Sequence, residues 1–300
     1  MSLPKIAKVT FELVVPSSGK KLKYRPFLVK EEKVLILAQE SGNQKEMARA
    51  IKEVIDACVL SRGFKVDELA TFDIEYIFLN IRGRSVGEDV EVIITCPDDG
   101  VTKVNHTIFL DEIKVVFDEE HSATVSIDDT YSVKMKYPTM EEVMETDTDN
   151  VTVEQSLGLI AGCIDQIYSE EESWAAADSS PEELVAWVEE LDPQQFAKLE
   201  KFFTTMPKLT HTINVINPET GVNNEIVLEG LGSFFRISMA HENLESYYKT
   251  NFALMQHHKY SLSEIEDMIP WEREIYIMLL KNWIEEEEER IKSQNTGSSF

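Results

Sequence analysis

Three cysteines, 12 glycines and 10 prolines in 300 residues are too few for a disulfide-stapled scaffold, a collagen-like repeat or a Pro/Gly-rich disordered chain. Cys58, Cys96 and Cys163 are odd in number and far apart, so no disulfide framework is expected. No apolar run approaches the roughly 20 residues of a membrane span. The opening MSLPKIAKV lacks the continuous apolar stretch of a secretory signal. These absences predict a soluble chain made in a cytoplasm, with no membrane span. Basic residues are scarce as well: 29 Lys and Arg face 55 Asp and Glu, a formal net charge of -26. Nucleic acid is therefore not an expected partner, because affinity for that polyanion comes from clustered cations that release counterions.

What the chain does have is enough apolar residue, 43% of the total, to bury a core. The charge is unevenly spread. Residues 1–65 hold 13 basic and 7 acidic side chains, whereas residues 66–300 hold 16 and 48. A basic head and an acidic body suit head-to-tail docking, either inside one molecule or between copies.

Alternating apolar residues Val9, Phe11, Leu13 and Val15 (with Ile6 before them), the turn Pro16-Ser17-Ser18-Gly19, then Leu22 and Tyr24 predict a first hairpin. Helices are expected over 31–40 and along Met47, Ile51, Val54, Ile55, Cys58 and Val59, with a third over 71–81. Hairpins follow at 90–95 with 101–110 and at 123–127 with 131–137. From 138 to 206 the pattern reads as helical and acidic; within 151–206 there are 12 acids and 2 lysines. There Ser180-Pro181-Glu182-Glu183 carries a capping signature, and 169–180 reads as a loop. A strand pair at 212–216 and 225–228 precedes helices over 242–256, 261–267 and 270–291. The run Glu285 to Glu289 should fray the last of these, and 293–300 reads as a loose tail. Three turns share the pattern Pro-x-x-Gly, at Pro16, Pro97 and Pro218, which combines a fixed φ with a glycine able to take a positive one. The expected class is α+β, with three parts: an α+β domain over 1–137, an acidic helical segment over 138–207, and a β-hairpin with C-terminal helices over 208–300.

Motifs for chemistry are thin. Cys96-Pro97-Asp98-Asp99-Gly100 looks like half of a zinc knuckle, but Asp99 stands where a second thiol is needed, and Asn217-Pro218-Glu219-Thr220-Gly221 has no thiol. Cys96 is thus a weak metal candidate, and no cofactor is expected. His257-His258 reads as a helix C-terminal cap. Asp147-Thr148-Asp149-Asn150 opens like a calcium loop and then fails, with Thr152 for the glycine and Gly158 for the glutamate. No phosphate-binding loop, nucleophile elbow or zinc-protease helix is present, so no catalytic residue is assigned. What remains is apolar surface on helices. In the last helix Trp271, Ile275, Met278 and Leu279 mark one side, and Ile277, Leu280, Trp283 and Ile284 widen the stripe past the arc of a single-faced helix, which reads first as an ordinary core helix buried by two neighbours and alternatively as a helix shared with a partner chain.

The segments Arg25 to Lys33 (RPFLVKEEK), Ile226 to Phe235 (IVLEGLGSFF) and Tyr247 to Leu280 together resemble the baseplate hub subunit and hub-assembly proteins of T4-like contractile-tailed phages. The resemblance implies a non-enzymatic protein that acts in assembly or structure of the baseplate hub. It would be located in the virion tail baseplate or, during assembly, in the host cytoplasm. Other hub or tail proteins are the implied partners, with self-association open to it. Hairpins of such proteins often look like zinc ribbons, from which Asp99, Asn217 and Thr220 depart. Arg25, Phe27 and Lys30 in the head, and Trp271, Tyr276 and Trp283 in the terminal helix, are the expected contact residues. A second function class, an acidic mimic of nucleic acid that binds a basic host protein, follows from the charge of the body alone.

Overall fold

The computed structural model describes residues 9–145 and 152–297. Ile6, the calcium-like start at 147–150 and the last three residues of the expected tail lie outside the described residues.

The first hairpin is β1 (Phe11–Val14) with β2 (Lys21–Tyr24), and helices α1 (Val29–Ser41), α2 (Gln44–Cys58) and α3 (Thr71–Ser85) follow. Then come β3 (Asp89–Thr95), β4 (Lys103–Phe109), β5 (Lys114–Val116), β6 (Thr124–Ser126) and β7 (Ser132–Met135). The middle holds α4 (Met140–Glu145), α5 (Val153–Gly162), β8 (Ile164–Tyr168), β9 (Ser173–Ala175), α6 (Pro181–Glu189) and α7 (Pro193–Thr205). The chain closes with β10 (Lys208–Ile216), β11 (Asn223–Glu229), α8 (Leu231–Ser238), α9 (Leu244–His258), α10 (Leu262–Glu266) and α11 (Pro270–Gly297). The class is α+β, with small antiparallel sheets ordered β1-β2, β3-β4, β11-β10-β5 and β6-β7-β8-β9.

All three Pro-x-x-Gly turns form with one geometry. The amides of Gly19, Gly100 and Gly221 donate to the carbonyls of Val15, Cys96 and Asn217 at 2.8, 2.9 and 2.8 Å. Each glycine has positive φ, at 66°, 69° and 73°, a region a side chain would strain. The capping box at Ser180 forms as well: Glu183 N donates to Ser180 Oγ at 3.2 Å, and Ser180 N to Glu183 Oε2 at 2.8 Å.

Three apolar clusters organise the packing. One joins the first hairpin, α1, α2 and α3 to Phe235, Met239, Tyr247, Leu254 and Ile265, so the N-terminal head and the C-terminal helices share a core. A second fills the middle, between β6–β8 and helices α5, α6 and α7. The third lies between Leu79 of α3, the β3–β4 and β10–β11 hairpins, and Phe234.

Several expectations change. The middle is not wholly helical, because β8 pairs with β7 (Val133 opposite Ile167) and β9 with β8. Ile164 and Ile167 face the second core, and the pairing supplies the ladder bonds an isolated strand would lack. One sheet holds strands from both sides of position 137/138, and β5 of the first expected part pairs with β10 of the third. Helix α8 was not foreseen, and α3 runs four residues past its expected end. The Glu run does not fray α11, since Arg290 lies 2.6 Å from Glu287 and Lys292 3.8 Å from Glu288, pairs that offset part of the repulsion.

Candidate protein-interaction surface

The terminal helix is held by its inner side. Ile269 N donates to Glu272 Oε2 at 2.9 Å, closing the first turn, and Pro270 brings the φ a helix start needs. One turn further, Arg273 is 1% exposed and is the anchor. Its Nη2 lies 3.0 Å from Glu242 Oε2 and 3.3 Å from Glu32 Oε2, and its guanidinium sits 5.5 Å from the Tyr247 ring centroid. His241 Nε2 lies 2.9 Å from Glu32 Oε1. Ion pairs taken out of water are costly to break once formed, so this group fixes which side of α11 faces inward. Ile277 and Leu280, further along that side, pack on the first core.

The opposite side is apolar and is exposed among the described residues. Trp271, Ile275, Met278, Leu279 and Trp283 recur at i, i+4, i+7, i+8 and i+12, one stripe of a helix, and all five are exposed. Trp283 keeps 56% of its surface in solvent. Tyr276 flanks the stripe, its ring 6.5 Å from that of Tyr260. On α9, Tyr248, Phe252 and Met255 form a second exposed row at i, i+4 and i+7, with Lys33 Nζ 5.6 Å from the Tyr248 ring centroid. Single exposed apolar side chains are ordinary, but contiguous rows mark contact sites.

The head residues singled out from sequence have other duties. Phe27 is fully buried, with its amide donating to Ser85 Oγ at 2.8 Å; it is core, not contact surface. Arg25 grips Glu31 with both terminal nitrogens, at 2.8 and 2.6 Å, and donates to Ala57 O at 2.9 Å, so it braces the start of α1. Lys30 is exposed but lies 2.6 Å from Asp267 Oδ1, and Lys33 lies 3.9 Å from Glu266. The basic head therefore docks on the acidic residues at the end of α10 within the same molecule.

Glu32, Glu242 and Arg273 were missed, although the sequence carries a signal for two of them. Glu32 falls on the apolar stripe Val29, Leu35, Ile36, and Arg273 on Ile277, Leu280. A charge placed on the inward stripe of a helix announces a buried partner. Arg82 is a further case: it is buried, its Nε donating to Ser238 O at 3.0 Å, and burial lowers its pKa to about 10.

Metal ligation was the other candidate. Among the described residues no group of three or more His, Cys, Asp and Glu side chains is arranged to hold an ion. Cys96 is buried, and burial together with Asp98 and Asp99 pushes its thiol up. A zinc ion of the ribbon type does not fit the residues present, since the remaining first and fourth positions offer a carboxylate, an amide and a hydroxyl, and the carboxylate is already occupied by donors. The other thiols are buried as well, with Cys163 pushed up to about 12. His257 and His258 form the last turn of α9, ahead of Lys259, whose φ is 62°. No helix among the described residues is long and apolar enough to cross a membrane.

Comparison with known families decides the context in which this surface is read. Residues 6–236 match the family described as T4 bacteriophage base plate protein. The chain belongs to that family. Residues 239–285 match the C-terminal domain of the baseplate hub assembly protein Gp51. No curated protein and no solved structure gives a match. The protein is thus a phage baseplate protein whose residues 239–285 are similar to a hub-assembly domain, a likeness that implies contact with other baseplate proteins. The two matched portions meet inside the first core. Glu32 of the base plate portion and Glu242 of the hub-assembly portion both contact Arg273, and the exposed rows of α9 and α11 lie in the hub-assembly portion from Tyr248 to Trp283.

Proposed function

We propose that this protein works in baseplate hub assembly as a binding protein without catalysis, gripping a hub partner through the outer stripe of α11. The observation that carries the reading is that stripe: a helix anchored on one side by a buried arginine and left apolar on the other, in the portion shared with hub-assembly proteins. Aromatic anchors supply most of the energy of such contacts, and flanking charge sets encounter rate and register. The five glutamates 285–289 follow the stripe directly. They make a second copy of α11 a poor parallel mate, because like charges would face each other. The occupant they favour is a hub protein that presents an apolar helix or groove flanked by Lys and Arg. It binds in the host cytoplasm and is incorporated into, or released from, the tail baseplate.

The test is complementation. Cells infected by phage lacking this gene are supplied with the wild-type chain or with Trp283→Ala/Tyr276→Ala, and hub intermediates are read by sedimentation. Hub formation with the wild type and its loss with a variant that melts at the same temperature supports the reading. Normal hub formation with the variant overturns it. Salt separates the mimicry alternative, since binding by a charged decoy falls steeply with ionic strength and an aromatic-centred contact loses mainly association rate.

A further inference from the structure

The β3–β4 and β10–β11 hairpins end in tips of equal length and equal geometry. Cys96 corresponds to Asn217 and Asp99 to Thr220, with the same Pro and positive-φ Gly between and after them. A zinc ribbon aims the first and fourth side chains of two such tips at one tetrahedral ion. Here the two tips meet by hydrogen bonds. Asn217 Nδ2 lies 3.0 Å from Asp98 Oδ1, 3.1 Å from Asp98 Oδ2 and 3.0 Å from Asp99 Oδ2. Its orientation is fixed, because Oδ1 accepts from the amides of Glu219 at 2.9 Å and Thr220 at 3.4 Å. Asn224 closes the back: Nδ2 donates to Asp98 Oδ1 at 2.9 Å, and Oδ1 accepts from Asp98 N at 3.0 Å. Thr220 Oγ1 donates to Asp98 Oδ2. Asp99 Oδ1 accepts from the amides of Val101 and Thr102, both at 3.0 Å, and Asp99 Oδ2 from the Thr102 hydroxyl.

We propose that this vertex is a zinc ribbon rebuilt without metal, in which the buried Asn217 amide occupies the ion's place and the two carboxylates act as its ligands. Each carboxylate oxygen of Asp98 and Asp99 has two donor atoms within hydrogen-bond distance, the Asn217 amide sharing its two N–H groups among three of them, so a cation could enter only by displacing part of the knot. Hydrogen bonds to ionised acceptors are the strong ones, and Asn217 and Asn224 are both buried. The same bonds hold both carboxyls below the usual range, led by Asn217 on Asp98 and by Thr102 on Asp99. The hairpin pair is therefore independent of the metal supply of the host.

The experiment has three arms on the full chain. Thermal melts with and without EDTA should coincide for the wild type. Asn217→Ala should lower Tm by about 4 °C or more, because it leaves the carboxylates facing each other without their shared donor. In Asp99→Cys/Asn217→Cys/Thr220→Cys, which joins three thiols to Cys96, one equivalent of Co2+ should give visible thiolate-to-metal bands that the wild type lacks. A wild-type Tm that drops on chelation, an unchanged Tm for Asn217→Ala, or a folded triple variant that binds no cobalt overturns the proposal. If the triple variant does not fold, the other two arms decide it.

Discussion

Helices α3 and α11 are both apolar around much of their circumference, yet they end in opposite places. In α3, Ile74, Ile77, Phe78, Leu79 and Ile81 are all buried, because the helix runs between the first and third cores and has neighbours on every side. Among the residues of α11 whose burial is described, only Pro270 and Arg273 are buried, and the side away from α1 stays in water. An all-round apolar pattern predicts burial on all sides. Where the described residues supply only one neighbour, a hub partner supplies the other under the proposed function. The two helices therefore share a sequence signature and differ in what completes them.

That contrast can be broken by mutation. Phe78→Ala in α3 should cost about 3–5 kcal/mol of stability by urea unfolding, the usual range for a phenyl ring removed from a sealed core. A loss under about 1 kcal/mol would mean that α3 is not sealed. Arg273→Ala should cost a comparable ~3–5 kcal/mol, by leaving Glu32 and Glu242 without their cation. It should also raise protease cleavage between α8 and α11, because the anchor of α11 is gone.

The acid Glu75 sharpens the α3 side. Burial, with Glu229 contributing, pushes its carboxyl up to about 8. Between the ordinary carboxylate range and pH 8 the folded state holds a proton that the unfolded state has released. Stability should therefore fall as pH rises through that window, by about 1.4 kcal/mol per pH unit for this group at most. Glu75→Gln should flatten that slope in urea titrations at pH 5 to 8; parallel slopes would contradict it. The smallest effect belongs to the α11 stripe: Trp283→Ala should change stability by no more than about 0.5 kcal/mol, and a loss like that of Phe78→Ala would make Trp283 core.

How much of this was legible beforehand depends on where each residue's partner lies. The Pro-x-x-Gly hairpins and the Ser180 cap were readable, because their hydrogen bonds close within a few residues. Strand β8 was not, since its ladder partner β7 lies some 30 residues earlier and its acidic neighbours mask a five-residue pattern. Helix α8 follows a glycine with φ of 80° and has no side-chain cap, so it lacked the usual start signal. The aromatics of α11 stood out by periodicity alone, but periodicity does not reveal exposure. Phe27 and Arg25 looked like equal candidates until burial and the Glu31 pairing separated them. The ribbon vertex was half legible: its missing thiols could be read, but not the amide that replaces the ion, because Asp98 and Asn217 are 119 positions apart.

Hydroxyl-radical footprinting, on the free protein and on the hub complex isolated from infected cells, measures the state of the α11 stripe directly. Trp271, Met278 and Trp283 should oxidise readily in the free protein and be shielded in the complex, while Tyr248 and Phe252 report on the α9 row. Unchanged oxidation of the α11 residues in a complex that contains this chain would show that the hub grips it elsewhere.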